Sequence, residues 1–301
     1  MLTLAGVLPP IPTPFDADGD VDEDALARNL AFLSRFLLSG YVVLGSNGES
    51  VHLTESEKLR LIESVRGIAP DDRAVVAGTG LFSTRATIAL TQSAAKAGAD
   101  AALVLPPFYY RGQMTSDALR DHFVAIADAS AIPVLIYNMP ANTSIDLSAD
   151  LLCELSSHEN IAGLKDSSGN MAKLAELRSR VNPGFALLAG SAGFFLPALS
   201  AGAVGGVLAL ANIAPDACLE INSLAKNGDW DAARRVQNRL ARANRAVTRQ
   251  WGVPALKAAM DLLGLRGGLP RSPLMPLSTE YRQELASILA EAGIHHAKEI
   301  E

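Results

Sequence analysis

Eight short apolar runs, each followed by a longer amphipathic stretch, constrain this chain more than any other feature. They are GVLPPIPT (6–13), GYVVLG (40–45), AVVAGT (74–79), AALVLP (101–106), PVLIYN (133–138), IAGLKD (161–166), FALLAG (185–190) and VGGVLAL (204–210). The runs are continuous rather than alternating, as expected of parallel strands covered on both faces. The stretches between them read as helices. Residues 22–38 place Leu26, Leu30, Leu33 and Leu37 at helical spacing, and residues 54–68 open with Thr54 and Glu57 in a capping-box arrangement. Further helices are expected over 84–97, 115–130, 147–157, 170–181 and 192–201.

Strand-then-helix units repeating every ~25–30 residues fit an α/β fold, the (β/α)8 TIM barrel. An open doubly wound sheet is the rival. It usually carries G-x-G-x-x-G after its first strand, and here PFDADGDVD follows instead. Past residue 210 the alternation stops. Residues 214–226, 229–250, 254–264 and 278–291 read as helices with no strand between them, separated by turn signals such as Asn227-Gly228 and GLRGGLPRSP (264–273). The expected division is a catalytic barrel over 1–225 and a C-terminal helical extension over 226–301, with the HHAKEIE tail frayed.

The composition excludes several classes of function. A 301-residue chain with 49% hydrophobic and 19% charged residues is globular, not disordered. A pI near 5.4, without Lys/Arg runs, argues against a nucleic-acid partner. The basic stretch Arg234–Arg249 is interleaved with Ala, Asn and Leu and reads as a solvated helix face. No uncharged stretch is long enough to suggest a membrane span. The N-terminus lacks a basic region and is interrupted by Pro9, Pro10, Pro12 and Pro14, so no signal peptide is read. Cys153 and Cys218 sit among apolar neighbours and are expected to be buried thiols of a cytoplasmic protein.

In a TIM barrel, function sits at the C-terminal ends of the strands. One of those ends is unusual. The run IAGL leads into Lys165, a residue type rarely buried. A strand-end lysine can simply snorkel into water. Held in an apolar pocket, it instead becomes a neutral amine that can attack a carbonyl and form a Schiff base. The protonated imine then serves as an electron sink for carbon–carbon cleavage. Tyr137 ends the preceding run, either as a core tyrosine or as a proton relay beside that imine. The turn GSNGES (45–50) is either a glycine-shaped loop or a cradle in which backbone N–H groups, Ser46 and Asn47 hold a carboxylate.

Other motifs are set aside. DADGD (16–20) places Gly19 at position four and Ala27 at position twelve, where a calcium loop needs Gly at six and Glu at twelve. The histidines show no H-x-x-x-H spacing, and Gly78-x-Gly80 lacks the third glycine of a dinucleotide fingerprint. No metal or cofactor is expected. The glycine-rich loops at Gly190 and Gly205 keep a phosphate-recognising barrel open as an alternative. A non-catalytic sensor of a 2-oxo acid is a third reading. It is disfavoured, because binding a carboxylate needs neither Tyr137 nor Lys165.

Gly45-Ser46-Asn47-Gly48-Glu49, Tyr137-Asn138-x-Pro140 and Gly163-x-Lys165-Asp166-Ser167, in that order, resemble the dihydrodipicolinate synthase / N-acetylneuraminate lyase family of class I aldolases. The resemblance covers nearly the whole chain. It implies a TIM barrel with C-terminal helices, commonly assembled as a homotetramer, acting on a small 2-oxo acid. It makes Lys165 the Schiff-base lysine and Tyr137 the proton-transfer tyrosine. Ser46 and Asn47 fall at the pyruvate carboxylate. Tyr110, or the adjacent Tyr109, matches a tyrosine lent across a dimer interface. The synthase branch carries an arginine where this chain has Asn142, and a neutral amide cannot replace a guanidinium fork. The motifs GSNGE, YYRGQM, PANT, GLKDSSG and LAGSAGF are most similar to the 4-hydroxy-2-oxoglutarate aldolase branch, in which Ser167, Gly190, Val207 and Asn142 line the substrate site. Dihydrodipicolinate synthase, N-acetylneuraminate lyase and 2-keto-3-deoxy sugar acid aldolase are the alternatives within the family.

Overall fold

The computed structural model describes residues 4–295. The tail from His296 onward, where fraying is expected, lies outside the described residues. Eight parallel strands form one sheet in the order β1-β8-β7-β6-β5-β4-β3-β2. They are β1 (Gly6–Leu8), β2 (Gly40–Val43), β3 (Ala74–Gly78), β4 (Ala101–Val104), β5 (Val134–Asn138), β6 (Ile161–Asp166), β7 (Ala186–Ala189) and β8 (Gly205–Val207). The sheet curls into the expected barrel.

Its seam, between β1 and β2, explains why the first apolar run gives only a three-residue strand. Pro9 and Pro10 have no N–H to donate to a ladder. Pairing continues past them through what proline retains. Pro9 O accepts from Val42 N at 3.0 Å, and Ile11 N donates to Val42 O at 2.8 Å.

Helices α1 (Glu23–Leu33), α2 (Glu55–Ile68), α3 (Thr84–Lys96) and α4 (Ser116–Ala129) follow the first four strands. After β5 come a one-turn helix α5 (Pro140–Thr143) and then α6 (Ala149–Leu155). Next are α7 (Met171–Arg180), α8 (Phe195–Ser200) and α9 (Pro215–Lys226). The C-terminal helices are α10 (Trp230–Arg245), α11 (Gly252–Leu262) and α12 (Thr279–Glu291). The capping box of α2 forms as expected: Thr54 N donates to Glu57 Oε2 at 2.7 Å and Glu57 N to Thr54 Oγ1 at 3.3 Å. The expected helix over 22–38 stops at Leu33. There Ser34 Oγ donates to Leu30 O at 2.8 Å, and the chain turns back toward β2. Leu37 therefore leaves the apolar stripe and is 81% exposed.

Two apolar layers follow the strand period of two. Leu8, Val42, Val76, Leu103, Leu135, Tyr137, Leu188 and Val207 fill the barrel interior. Their neighbours, such as Val7, Val75, Ile136 and Leu187, pack outward against helix residues including Leu30, Ile62, Phe123 and Leu177. Burying each such aliphatic or aromatic side chain contributes about 1.5–3 kcal/mol. The continuous apolar runs in the sequence are the sum of these two faces. The outer layer extends without a break to Leu256 and Leu289 of the C-terminal helices. On α10, Arg234, Arg235, Arg239, Arg242 and Arg245 are all exposed, a solvated face. Both cysteines are free; Cys218 is buried as expected, but Cys153 is only half-buried, on α6, whose buried residues are Leu151, Leu152 and Leu155.

One buried group ties stability to pH. His122 on α4 is buried, with Nδ1 2.8 Å from Thr84 Oγ1 and Nε2 unpartnered among the described residues. Burial holds its pKa down, at about 4 against 6.5. Below about pH 6.5 the unfolded chain takes up a proton that the folded chain refuses. The contribution of His122 is therefore full above that pH and declines toward pH 4, by about 3 kcal/mol in all. Urea unfolding of His122→Gln and the parent chain between about pH 7 and 4 checks this, the variant losing less stability over the window.

Candidate active site

The strand period places Lys165 and Tyr137 face to face inside the barrel. They are register partners on β6 and β5, and Lys165 is a further partner of Leu188 on β7. Both are buried, Lys165 at 3% and Tyr137 at 4% exposure. Lys165 Nζ lies 3.8 Å from the centroid of the Tyr137 ring. The Tyr137 hydroxyl faces Ser46, Lys165 and Ser167. Burial pushes the phenol's pKa up. The positive charge of Lys165, together with the polar side chains of Ser46 and Ser167 that face the hydroxyl, outweighs burial and holds it below its ordinary value. A tyrosine in that state can exchange a proton with a group bound at Lys165.

The next residue on each strand points the other way and locks the pair in place. Asn138 Nδ2 donates to Asp166 Oδ1 at 2.6 Å and to Asp146 Oδ1 at 2.7 Å, while Asn138 Oδ1 accepts from Leu147 N at 3.0 Å. Ser168 Oγ donates to Asp166 Oδ2 at 2.6 Å. Lys173 closes the network by pairing with Asp146 and lying 3.9 Å from Asp166. The sequence shows Asn138 and Asp166 at strand ends but assigns them no role. Lys173 and Asp146 carry no sequence signal at all, since their meeting depends on the loops after two different strands.

Ser167 follows directly, its N–H donated to Asn138 O at 2.9 Å. Its Oγ is buried and unpartnered among the described residues. Gly190, after β7, donates its N–H to Asp166 O at 2.7 Å. A Cβ at Gly190 would lie 1.9 Å from Ser167 Oγ, so only glycine leaves that hydroxyl its place. Val207 ends β8 within the same interior layer as Tyr137.

Ser46 and Asn47, both half-buried, begin a 3-10 turn over Ser46–Gly48. A helical turn leaves its first N–H groups without internal acceptors. The turn is held from the barrel side, where Thr13 Oγ1 donates to Gly48 O at 2.7 Å. Leu44, just before it, has φ 60, a conformation costly for a branched side chain. Gly78 makes room for it, since a Cβ there would lie 2.1 Å from Leu44 O.

Tyr110 and Asn142 stand apart from this cluster. Both are exposed, and they line a separate cavity of about 570 Å³ between Phe108–Gln113 and Asn142–Ser144. Tyr109 and Tyr110 stack edge to face at 5.1 Å. Thus the chain by itself brings together Lys165, Tyr137, Ser46, Ser167 and Gly190, with Val207 in the same interior layer and Asn47 next to Ser46 in the turn, and leaves Tyr110 and Asn142 in the separate cavity.

A family model described as the Dihydrodipicolinate synthetase family matches residues 3–292. The chain belongs to this family. It is 40% identical over 292 residues to a protein named probable 4-hydroxy-2-oxoglutarate aldolase, mitochondrial, from Emericella nidulans, covering 95% of this chain and 94% of that one. It is 38% identical over 287 residues to the 4-hydroxy-tetrahydrodipicolinate synthase of Methanothrix thermoacetophila, covering 95% and 96%. Among solved structures it is similar to the chloride-inhibited dihydrodipicolinate synthase of Acinetobacter baumannii complexed with pyruvate. That similarity has a TM-score of 0.92 at 33% identity, covering 97% of this chain and 100% of that one. As a dihydrodipicolinate synthetase family member, the chain is a carbon–carbon lyase of the aldolase class. No helix among the described residues is long and apolar enough to cross a membrane.

Proposed function

We propose that the chain cleaves a 4-hydroxy-2-oxo acid through a Schiff base on Lys165, with 4-hydroxy-2-oxoglutarate giving pyruvate and glyoxylate as the preferred reaction. The observation that carries this reading is the buried Lys165–Tyr137 pair at the open end of the barrel. In the proposed cycle, Lys165 Nζ attacks C2, and the carbonyl oxygen leaves as water. The substrate C1 carboxylate sits on the turn at Ser46 and Asn47, and Ser167, Gly190 and Val207 line the substrate. Tyr137 as phenolate takes the C4-hydroxyl proton, relayed through Ser46. The C3–C4 electrons flow into the iminium, glyoxylate leaves, and the enamine takes a proton at C3. Water then hydrolyses the imine, freeing pyruvate and Lys165.

Tyr110 completes the relay when lent by a second copy of the chain, within a homotetramer built as a dimer of dimers. The exposed aromatic group of Phe82, Tyr109 and Tyr110 suits such an interface. The free cysteines suit a reducing compartment, and the cytoplasm is the proposed one.

The second reading is dihydrodipicolinate synthase, favoured by relatives of that name at 35–38% identity. Asn142 speaks against it, because a neutral amide stands where that branch carries a guanidinium. Pyruvate release from 4-hydroxy-2-oxoglutarate, N-acetylneuraminate and a 2-keto-3-deoxy sugar acid, beside condensation of pyruvate with aspartate semialdehyde, decides between them. The largest kcat/KM is expected for 4-hydroxy-2-oxoglutarate. A larger one for the condensation would overturn the assignment.

A further inference from the structure

Lys257 is buried more deeply than Lys165, and the proposed chemistry makes no use of it. It lies on α11 with its side chain 1% exposed, and Nζ is 2.6 Å from Glu49 Oε1, equally buried. Nζ also donates a hydrogen bond to Leu269 O at 2.8 Å and lies 4.4 Å from the centroid of the Phe15 ring. The other carboxylate oxygen, Glu49 Oε2, accepts from the Arg271 N–H at 2.9 Å and lies 3.3 Å from His52 Nδ1. The Arg271 guanidinium forks onto Glu57 at 2.6 and 3.0 Å and donates to Gly19 O and His52 O. The segment between α11 and α12 is thereby tied to the loop after β2.

Glu49 is the joint of that loop. With φ 53 and ψ 36 it closes the turn that begins at Ser46 and opens the next turn, Ser50–His52. Side chains rarely adopt this left-handed conformation, and glycine would enter it without penalty. A glutamate is therefore held there by its carboxylate contacts. A buried ion pair is seldom the most stable way to fill a space, since apolar side chains of similar volume often serve as well. Charges do impose one arrangement on the groups they join. Here they join the C-terminal helices to a residue three positions after Ser46. Thr13 holds the turn through Gly48 O, and Lys257 holds it through Glu49.

We propose that Lys257, acting through Glu49, is a positioning residue that shapes the Ser46–Asn47 turn to receive the carboxylate of a 2-oxo acid. The inference rests on the Schiff-base reading above. Its test is borohydride trapping of two ketones, pyruvate and its uncharged analogue methyl pyruvate. Both present the same carbonyl to Lys165, and only one presents a carboxylate. The double variant Glu49→Gln/Lys257→Met removes both buried charges at nearly constant volume. In that variant the half-saturating pyruvate concentration is expected to rise about tenfold, as for loss of a charge-assisted contact, while that for methyl pyruvate stays put. Equal changes for both ketones, or no change for either, would overturn the inference while leaving the Schiff base intact. Absence of trapping in the parent chain would overturn both. If the double variant does not fold, Lys257→Arg, which displaces the charge without deleting it, is read by the same ratio.

Discussion

Lys165→Ala is expected to lower kcat by at least ~10⁴-fold while the protein stays folded. In the proposed cycle every bond change passes through the imine, so no other side chain can stand in for the amine. The barrel should tolerate the substitution. Lys165 forms no ion pair among the described residues, and the network that shapes the strand end runs through Asp166, Asn138 and Lys173. The melting temperature is therefore expected to stay within about 4 °C of the parent, a shift on the order of 1 kcal/mol or less. A steady-state pyruvate-release assay beside a thermal scan reads both quantities. Activity within tenfold of the parent would show that the lysine is only a buried cation.

Tyr137→Phe is the second large effect, and it separates two roles. The phenol is acidified by the Lys165 charge and its polar neighbours against the opposing pull of burial. Removing the hydroxyl removes the proton acceptor for the C4 hydroxyl and keeps the ring packed in the barrel interior. Turnover is expected to fall by about 10²–10⁴-fold, the range for a positioned general acid–base group. Formation of the imine with pyruvate should survive, more slowly, because Lys165 keeps its place on the strand. Single-turnover cleavage measured beside borohydride trapping makes the distinction. Equal loss in both would mean that Tyr137 merely supports Lys165.

How much of this was legible in the sequence follows from the physics of each element. The barrel strands show because both of their faces are buried, which makes their runs continuously apolar. Lys165 shows because a charge at the end of such a run has to be explained. Tyr137 becomes legible only through Lys165, since a tyrosine ending a strand is ordinary on its own. The three-residue β1 and the exposed Leu37 depart from the sequence pattern for local reasons. Prolines interrupted one ladder, and a turn ended one helix early. The anchor Glu49–Lys257–Arg271 was beyond reach, because Glu49 and Arg271 lie 222 positions apart. Its trace in the sequence is a lysine within the apolar stretch PALKAAM, the same kind of clue that Lys165 gives in IAGLKD. Tyr110 and Asn142 line a separate, exposed cavity; only in the proposed assembly would a second copy of the chain bring Tyr110 to the cluster.

The proposed chemistry turns on a covalent bond between Lys165 and a ketone carbon. Incubation of the purified chain with pyruvate and borohydride, followed by proteolysis and peptide mass spectrometry, tests it directly. A reduced pyruvyl adduct is expected on the peptide carrying Lys165, with none in the Lys165→Ala variant. No adduct on a folded, parent chain, or an adduct on a different lysine, would contradict it.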